Sequence, residues 1–331
     1  MTHLDVRPLA DFVNERHAMY IRKELRAGTD PANLHAPPGA DLSPFMEGPV
    51  TEDPVLSQYR FCNVFRELDR VTQWIDRNIR KPFADHPDLW FMLATARYIN
   101  WPPTLQYLMN RGELKCDFNA WPGDDVLLPH FAFTPKDMGD ALDAWAARGE
   151  KVYTGAYMIR AESNHNMPWY SWSKHQYIAR IVLGRLWEDR EEWRELLSEP
   201  RQLLQRVWQK FQDRRYIGWG PFMAYQVVVD LRHTRVLRNA WDINSWCALG
   251  PGSRRGLNRL AGLPAKTSLT QERGLFQMLD LWESQEEWRA PWVPFIELSD
   301  IQNCLCEVDK WLRVRNGEGT PRSRYQPETR F

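Results

Sequence analysis

The stretch from Tyr216 to Asp242, YIGWGPFMAYQVVVDLRHTRVLRNAWD, constrains the fold more than any other part of this chain. A hydrophobic residue leads into Gly218-Trp219-Gly220-Pro221, an apolar helix follows, and Asp242 stands beyond the next loop. In a G-x-G turn the first glycine is free to take a positive φ and the second admits a close backbone approach. Pro221 suits the first turn of the next helix, where no N–H is required. The unsatisfied N–H groups at that helix start suit an anion such as a DNA phosphate. The same residues also describe a helix start packed against another helix, so the turn alone leaves both readings open.

A chain of 331 residues can bury a large core, as one domain or two lobes. Its 26% charged and 43% hydrophobic content is that of an ordinary soluble globule. The start, MTHLDVRPLADFVNERHAMY, lacks the apolar core of a signal peptide, and no later run could span a bilayer. Five cysteines without a CxxC pair argue against a disulfide framework and for a reducing cytoplasm. Cys304 and Cys306 would point to different sides of a helix, so no metal site is expected there. Net charge is zero, yet Arg201 to Arg259 holds eleven basic residues against three acidic ones, centred on the glycine turn. A basic patch beside a phosphate-binding turn is what a DNA footprint requires, and solvated helix faces are the alternative.

Periodicity predicts a mainly α chain. Helices are expected at Leu9 to Leu25, Tyr59 to Arg80, His86 to Tyr98, after Pro103, Lys136 to Arg148, Lys174 to Ser198, Leu203 to Phe211, after Gly250, Leu275 to Trp288 and Ile301 to Arg313. Val152 to Ile159 is the best strand candidate. The expected organisation is an N-terminal extension over 1–55, a helical catalytic domain over 56–313, and a basic extended tail over 314–331.

Several constellations suit chemistry. On a helix from Tyr59 to Arg80, Asn63, Arg66, Glu67 and Arg70 would share one face. An amide and two guanidiniums there suit a pyrimidine edge and a phosphate. A solvated, self-paired face is the plainer alternative. Asp300, Asn303, Glu307 and Lys310 form a second stripe, where a carboxylate among apolar groups would act as a general base, or Glu307 would pair with Lys310. Gly250, Gly252, Ser253, Arg254 and Arg255 offer another helix start with Ser253 as its cap, suited to phosphate or simply a capped turn. The segment RAESNHNMPWYSW concentrates Asn164 and His165 in a loop, with His165 a candidate acid or base. Of the seventeen tryptophans, Trp219, Trp241 and Trp246 flank the glycine turn and are candidates to stack on a base, worth about 1–3 kcal/mol. Packing accounts for most of the others. No P-loop, HExxH or zinc-deaminase pattern is present.

The Tyr216 to Asp242 run resembles the second half of the helix–hairpin–helix of base-excision DNA glycosylases, with Asp242 at the position of their active-site aspartate. Phe222 stands where bifunctional members carry a lyase lysine, so Schiff-base chemistry does not follow. Together YRFCNVFRELDRVTQWI, GWGPFMAYQVVVDL, WDINSWCALGPGSRRGL and DIQNCLCEVDKWLR resemble a more specific family, spanning Tyr59 to Arg313. It is the glycosylase-like helical group of DNA-hypermodifying bacteriophages. That group comprises amino acid:DNA transferases (α-glutamyl/putrescinyl-thymine pyrophosphorylases) and the helical domain of 5-hydroxymethyluracil DNA kinases. The resemblance implies a helix–hairpin–helix, glycosylase-like fold and, without a kinase P-loop, a transferase. It would replace the (pyro)phosphate on 5-(pyro)phosphomethyl-deoxyuridine in DNA with an amino acid such as glycine or a polyamine, after an upstream DNA kinase has acted. No cofactor, metal or membrane is implied, and the setting is the cytoplasm of an infected bacterium. Asp242 is the first expectation for the base and Glu307 the second, with Asn63 reading the uracil edge and Arg66 and Arg70 holding phosphate. Gly218, Gly220 and Pro221 grip DNA, and Cys62 is a further candidate, adding at C6. A glycosylase-like hydrolase and a non-catalytic DNA-binding partner of the kinase are the rival expectations.

Overall fold

The computed structural model describes residues 3–111, 133–155, 157, 159, 167–321 and 324, and among them every regular element is helical. In chain order these are α1 Arg7–Arg26, α2 Pro54–Gln58, α3 Arg70–Ile75, α4 Leu89–Ile99, α5 Pro102–Arg111, α6 Pro135–Ala147, α7 Lys174–Tyr177 and α8 Gly184–Glu188. There follow α9 Arg190–Ser198, α10 Leu204–Phe211, α11 Pro221–Arg232, α12 Pro251–Leu260, α13 Gln271–Glu283, α14 Gln285–Trp288 and α15 Leu298–Arg315. The chain divides into two compact units, one made of Met1–Asp69 with Ile243–Arg330, the other of Arg70–Asp242.

The first unit is organised on α15, which packs against α1, α2, α12 and α13. Asp300 in its first turn and Arg313 and Arg315 in its last complement the helix dipole. Ile301, Cys304, Leu305, Val308 and Trp311 form its buried stripe. Helix α1 begins with Pro8 in its first turn and buries Leu9, Phe12, Val13 and Ile21 completely. Each such aliphatic or aromatic side chain contributes roughly 1.5–3 kcal/mol. The N-terminal helix is therefore part of this core. Gly252 and Gly256 let α12 lie directly on α15: a Cβ at Gly252 would stand 2.7 Å from Cys306 Sγ, and one at Gly256 2.3 Å from the Leu305 carbonyl oxygen.

In the second unit, every residue of α4 is buried and the helix ends at Asn100, whose φ of 47° is left-handed. Arg97 on α4 and Asp230 on α11 form an ion pair away from solvent, with Arg97 also donating to Thr72 Oγ1 at 2.9 Å. The tryptophan-rich composition becomes an aromatic row: Trp90 stacks on Trp193 at 4.7 Å, Trp193 meets Phe211 at 4.5 Å, and Phe211 meets Trp219 at 5.0 Å.

Four expected elements differ, one of them the single helix expected from Leu275 to Trp288, which breaks at Ser284. The segment 59–69 is not helical apart from the 3₁₀ turn Arg66–Leu68. The single helix expected from Lys174 to Ser198 is interrupted by a π segment, Ile178–Leu183, and again at Asp189. A π segment leaves carbonyls out of the regular ladder; Val182 O accepts the Trp219 indole N–H at 3.1 Å. Between Val152 and Ile159 there is no strand among the described residues.

Candidate functional site

A buried polar cluster occupies the first unit, where residues 61–69 cross the Asp300–Glu307 face of α15. Carboxylates take backbone amides that a helix would have used: Cys62 N–H donates to Glu307 Oε2 at 2.9 Å and Arg66 N–H to Asp300 Oδ1 at 3.1 Å. Asn63 N–H donates to Asp69 Oδ1 at 2.8 Å. Side-chain acceptors of this kind compete with helical hydrogen bonds, which is why the segment is open. Asn63, Arg66, Glu67 and Arg70 consequently do not share a helical face: Arg66 is only 7% exposed while Arg70 is exposed at the start of α3.

The opened segment gives each side chain a defined role. The Asn63 amide donates to Leu68 O at 2.8 Å and to Asp69 Oδ1 at 3.2 Å. Both N–H bonds are thus spent, and Oδ1 is left as an acceptor. The Arg66 guanidinium has no hydrogen-bond or ion-pair partner among the described residues although the residue is buried. Asp69 and Asp300 act on it electrostatically without pairing at contact distance, so its N–H groups remain available to an incoming anion. Burial pushes the Asp300 carboxyl up to about 7, with Glu297 adding to the rise and the Arg66 amide and charge opposing it. Asp69 is raised too, chiefly by burial. Glu307 additionally accepts from Lys310, whose ammonium lies 4.4 Å over the Phe61 ring. Asn303 donates to Asn63 O at 3.3 Å, completing the α15 stripe.

Cys62 sits in this cluster but burial, then Glu307 and Asp69, push its thiol well above its ordinary range. A nucleophilic cysteine requires the opposite shift, so the structure offers no activation for attack at C6.

Asp242 lies in the second unit and is 7% exposed. Its two oxygens accept the Leu204 and Gln205 N–H groups at 2.7 and 2.9 Å, holding the start of α10. It acts there as a helix cap supplied from outside the helix.

The glycine turn precedes α11 as its sequence suggests. Gly218 has φ +88° and Gly220, with nothing within 4 Å of an added Cβ, caps a helix start that is open to solvent. The tryptophans beside it divide. Trp219 is 2% and Trp246 5% exposed, so both belong to packing rather than base stacking; Trp241 is 68% exposed with Arg201 5.1 Å over its ring.

Six of the eleven basic residues in the run pair with acids outside it. Lys210 and Arg215 pair with Glu192, Arg206 with Glu199, Arg235 with Asp85, and Arg255 and Arg259 with the buried Asp309. At α12 the cap is Gly250, not Ser253; the Ser253 hydroxyl, three residues on, accepts from Gly250 N–H at 2.9 Å. Gly252 answers to the α15 contact, and Arg254 is half-buried with its Nε unpartnered among the described residues. Asn164 and His165 lie outside the described residues.

Sequence reasoning placed Asp300 on the α15 stripe without singling it out, and missed Asp69. No local signal marks either, because their burial is created by segments distant in sequence. Among the described residues no helix is long and apolar enough to cross a membrane.

The family model described as "5-hmdU DNA kinase, helical domain" matches residues 45–320. A 5-hmdU DNA kinase of Bacillus phage SP10 is 25% identical over 218 residues, covering 63% of this chain and 31% of the kinase. The match thus spans less than a third of that relative's length. No solved structure matches the chain.

Proposed function

The chain belongs to the family of 5-hmdU DNA kinase helical domains, and from that premise we propose that it is a DNA base-hypermodification transferase. Its substrate is DNA carrying 5-(pyro)phosphomethyl-deoxyuridine, supplied by an upstream DNA kinase in an infected bacterium, and its second substrate is an amino acid or polyamine. Arg66 carries the assignment, as an arginine largely buried along its length whose guanidinium has no salt-bridge partner among the described residues, attached to a backbone that Asp300 holds.

Arginine binds phosphate oxygens in a bidentate fork. Arg66 therefore anchors the (pyro)phosphate and offsets its charge as the C–O bond breaks and the electron pair leaves with it. The remaining exocyclic methylene is stabilised by electron push from the pyrimidine ring. The lone pair of the free amine then forms the C–N bond, and the surplus ammonium proton passes to the Asp300 carboxylate. A carboxyl group near 7 is matched to that task at neutral pH. Asn63 Oδ1 accepts the N3–H of the flipped base. Glu307 holds Cys62 N–H and Lys310, and so fixes the loop rather than taking the proton. The second unit by itself offers the open start of α11 to the DNA backbone and an exposed aromatic face at Trp241.

Phosphorylated 5-hmdU DNA incubated with the protein and a panel of amines, then digested to nucleosides for mass spectrometry, tests this. Aminomethyl-deoxyuridine products that disappear in Arg66→Gln and Asp300→Asn are expected. Abasic sites instead of adducts would establish a glycosylase-like hydrolase. A second reading, a non-catalytic subunit presenting bases to a kinase, draws on the kinase identity of the relative. Under it both substitutions leave pathway output unchanged while DNA binding persists.

A further inference from the structure

The arginine-rich run was the natural source of positive charge for DNA, and six of its eleven basic residues are engaged in ion pairs. A different set of groups in the second unit is uncompensated. Tyr98, at the end of α4, is 4% exposed, and its hydroxyl has no hydrogen-bond partner among the described residues. That oxygen lies 3.0 Å from where a Cβ of Gly218 would stand, so it is aimed at the exposed glycine turn. Gly220 leaves the first N–H groups of α11 unobstructed. Tyr153 lies within electrostatic reach of Tyr98. The Tyr153 hydroxyl shares a 2.9 Å hydrogen bond with His175 Nδ1, and the two rings stack at 5.5 Å. Over the other side of this pair stands Lys174, its ammonium 4.9 Å from the Tyr153 ring centroid and without a carboxylate at ion-pair distance among the described residues. Burial lowers the Lys174 ammonium, and no neighbouring carboxylate opposes that. Asp143, the nearest acid acting on His175, is occupied by Ser173 and Gln176.

We propose that the Gly218–Gly220 turn, the Tyr98 hydroxyl and Lys174 form one surface that binds successive phosphates of a DNA strand. It rests on the DNA-modification role proposed above and assigns its backbone contact to residues outside the arginine run. The turn and Tyr98 supply hydrogen-bond donors to one phosphate. Lys174, steadied by the Tyr153–His175 pair, supplies the charge. A dianion or phosphodiester provides what each of these groups lacks within the protein.

Binding of the full chain to a short random-sequence DNA duplex, measured across a salt series, tests the assignment. Each phosphate contact by a cation contributes about 0.9 to the slope of log K against log salt. Lys174→Gln is expected to lower the slope by about that amount, and Lys174→Arg to retain it. Tyr98→Phe is expected to weaken binding roughly 5-fold with the slope unchanged, as for one lost hydrogen bond. Replacing Arg206 and Glu199 together by glutamine removes a neutral pair and leaves the slope where it was. Thermal melts confirm that each variant is folded. A full slope in Lys174→Gln overturns this surface while leaving the transferase reading intact. Failure of the wild-type protein to bind the duplex likewise overturns this surface, and the transferase reading stands or falls separately on the nucleoside products.

Discussion

Replacing Asp300 by asparagine separates the stability of the site from its chemistry. Asparagine retains an oxygen for the Arg66 N–H but does not ionise. In the folded protein the Asp300 carboxyl is raised from 3.8 to about 7. Below 3.8 the folded and unfolded chains both hold the proton, and the group adds nothing. Between 3.8 and about 7 the folded chain keeps a proton that the unfolded chain has lost, so folding stability falls as pH rises. Above about 7 the loss is complete. At about 1.4 kcal/mol for each pH unit, the displacement sets a ceiling of about 4 kcal/mol. Asp300 retains partial access to water, and screening brings the expectation to about 1–2 kcal/mol. Asp300→Asn is therefore expected to match the wild type near pH 4 and to exceed it by that amount at pH 8.5, while losing amine transfer. Denaturant titrations followed by tryptophan fluorescence at the two pH values measure the difference. An asparagine variant that unfolds no later than the wild type at pH 8.5 would refute the placement of this carboxyl in a desolvated setting.

Further outcomes follow from the same geometry. Glu297→Gln removes a charge that raises Asp300, so the acidic limb of the rate profile should move to lower pH; an unmoved limb in single-turnover assays counts against Asp300 as the base. Asp242→Ala removes both acceptors at the start of α10 and should cost about 1–2 kcal/mol in denaturant titrations. Trp219→Ala should cost about 3–5 kcal/mol, whereas Trp241→Ala should leave the melting temperature alone and weaken DNA binding in anisotropy measurements. Cys62→Ser should retain transfer activity, since the thiol is held protonated.

Helices with an uninterrupted stripe were legible in the chain. The patterns of α1, α4, α6, α13 and α15 placed them to within a few residues, because periodicity near 3.6 reports a buried face directly. Residues 59–69 carry the same periodicity, with Phe61, Val64 and Phe65 buried as it suggests. Their backbone is nevertheless open, since Glu307 and Asp300, 245 and 234 positions away from Cys62 and Arg66, claim the amides. Charge was misleading for the same reason. A local count sees Lys210 and Arg215 but not Glu192 opposite them. Tryptophan type says nothing of exposure, which separated Trp241 from Trp219 and Trp246 only once the packing was known. Asp300 was visible as one of four polar residues along α15, yet its proton affinity is a property of the segment laid across it.

The glycine contact between α12 and α15 has a mechanical consequence. With Gly256 against the Leu305 carbonyl and Gly252 against Cys306, the two helices lie too close for a methyl group at either glycine, so an alanine there would force them apart. Residues 61–69, by contrast, are tied to α15 by separate amide hydrogen bonds from Cys62 to Glu307 and from Arg66 to Asp300.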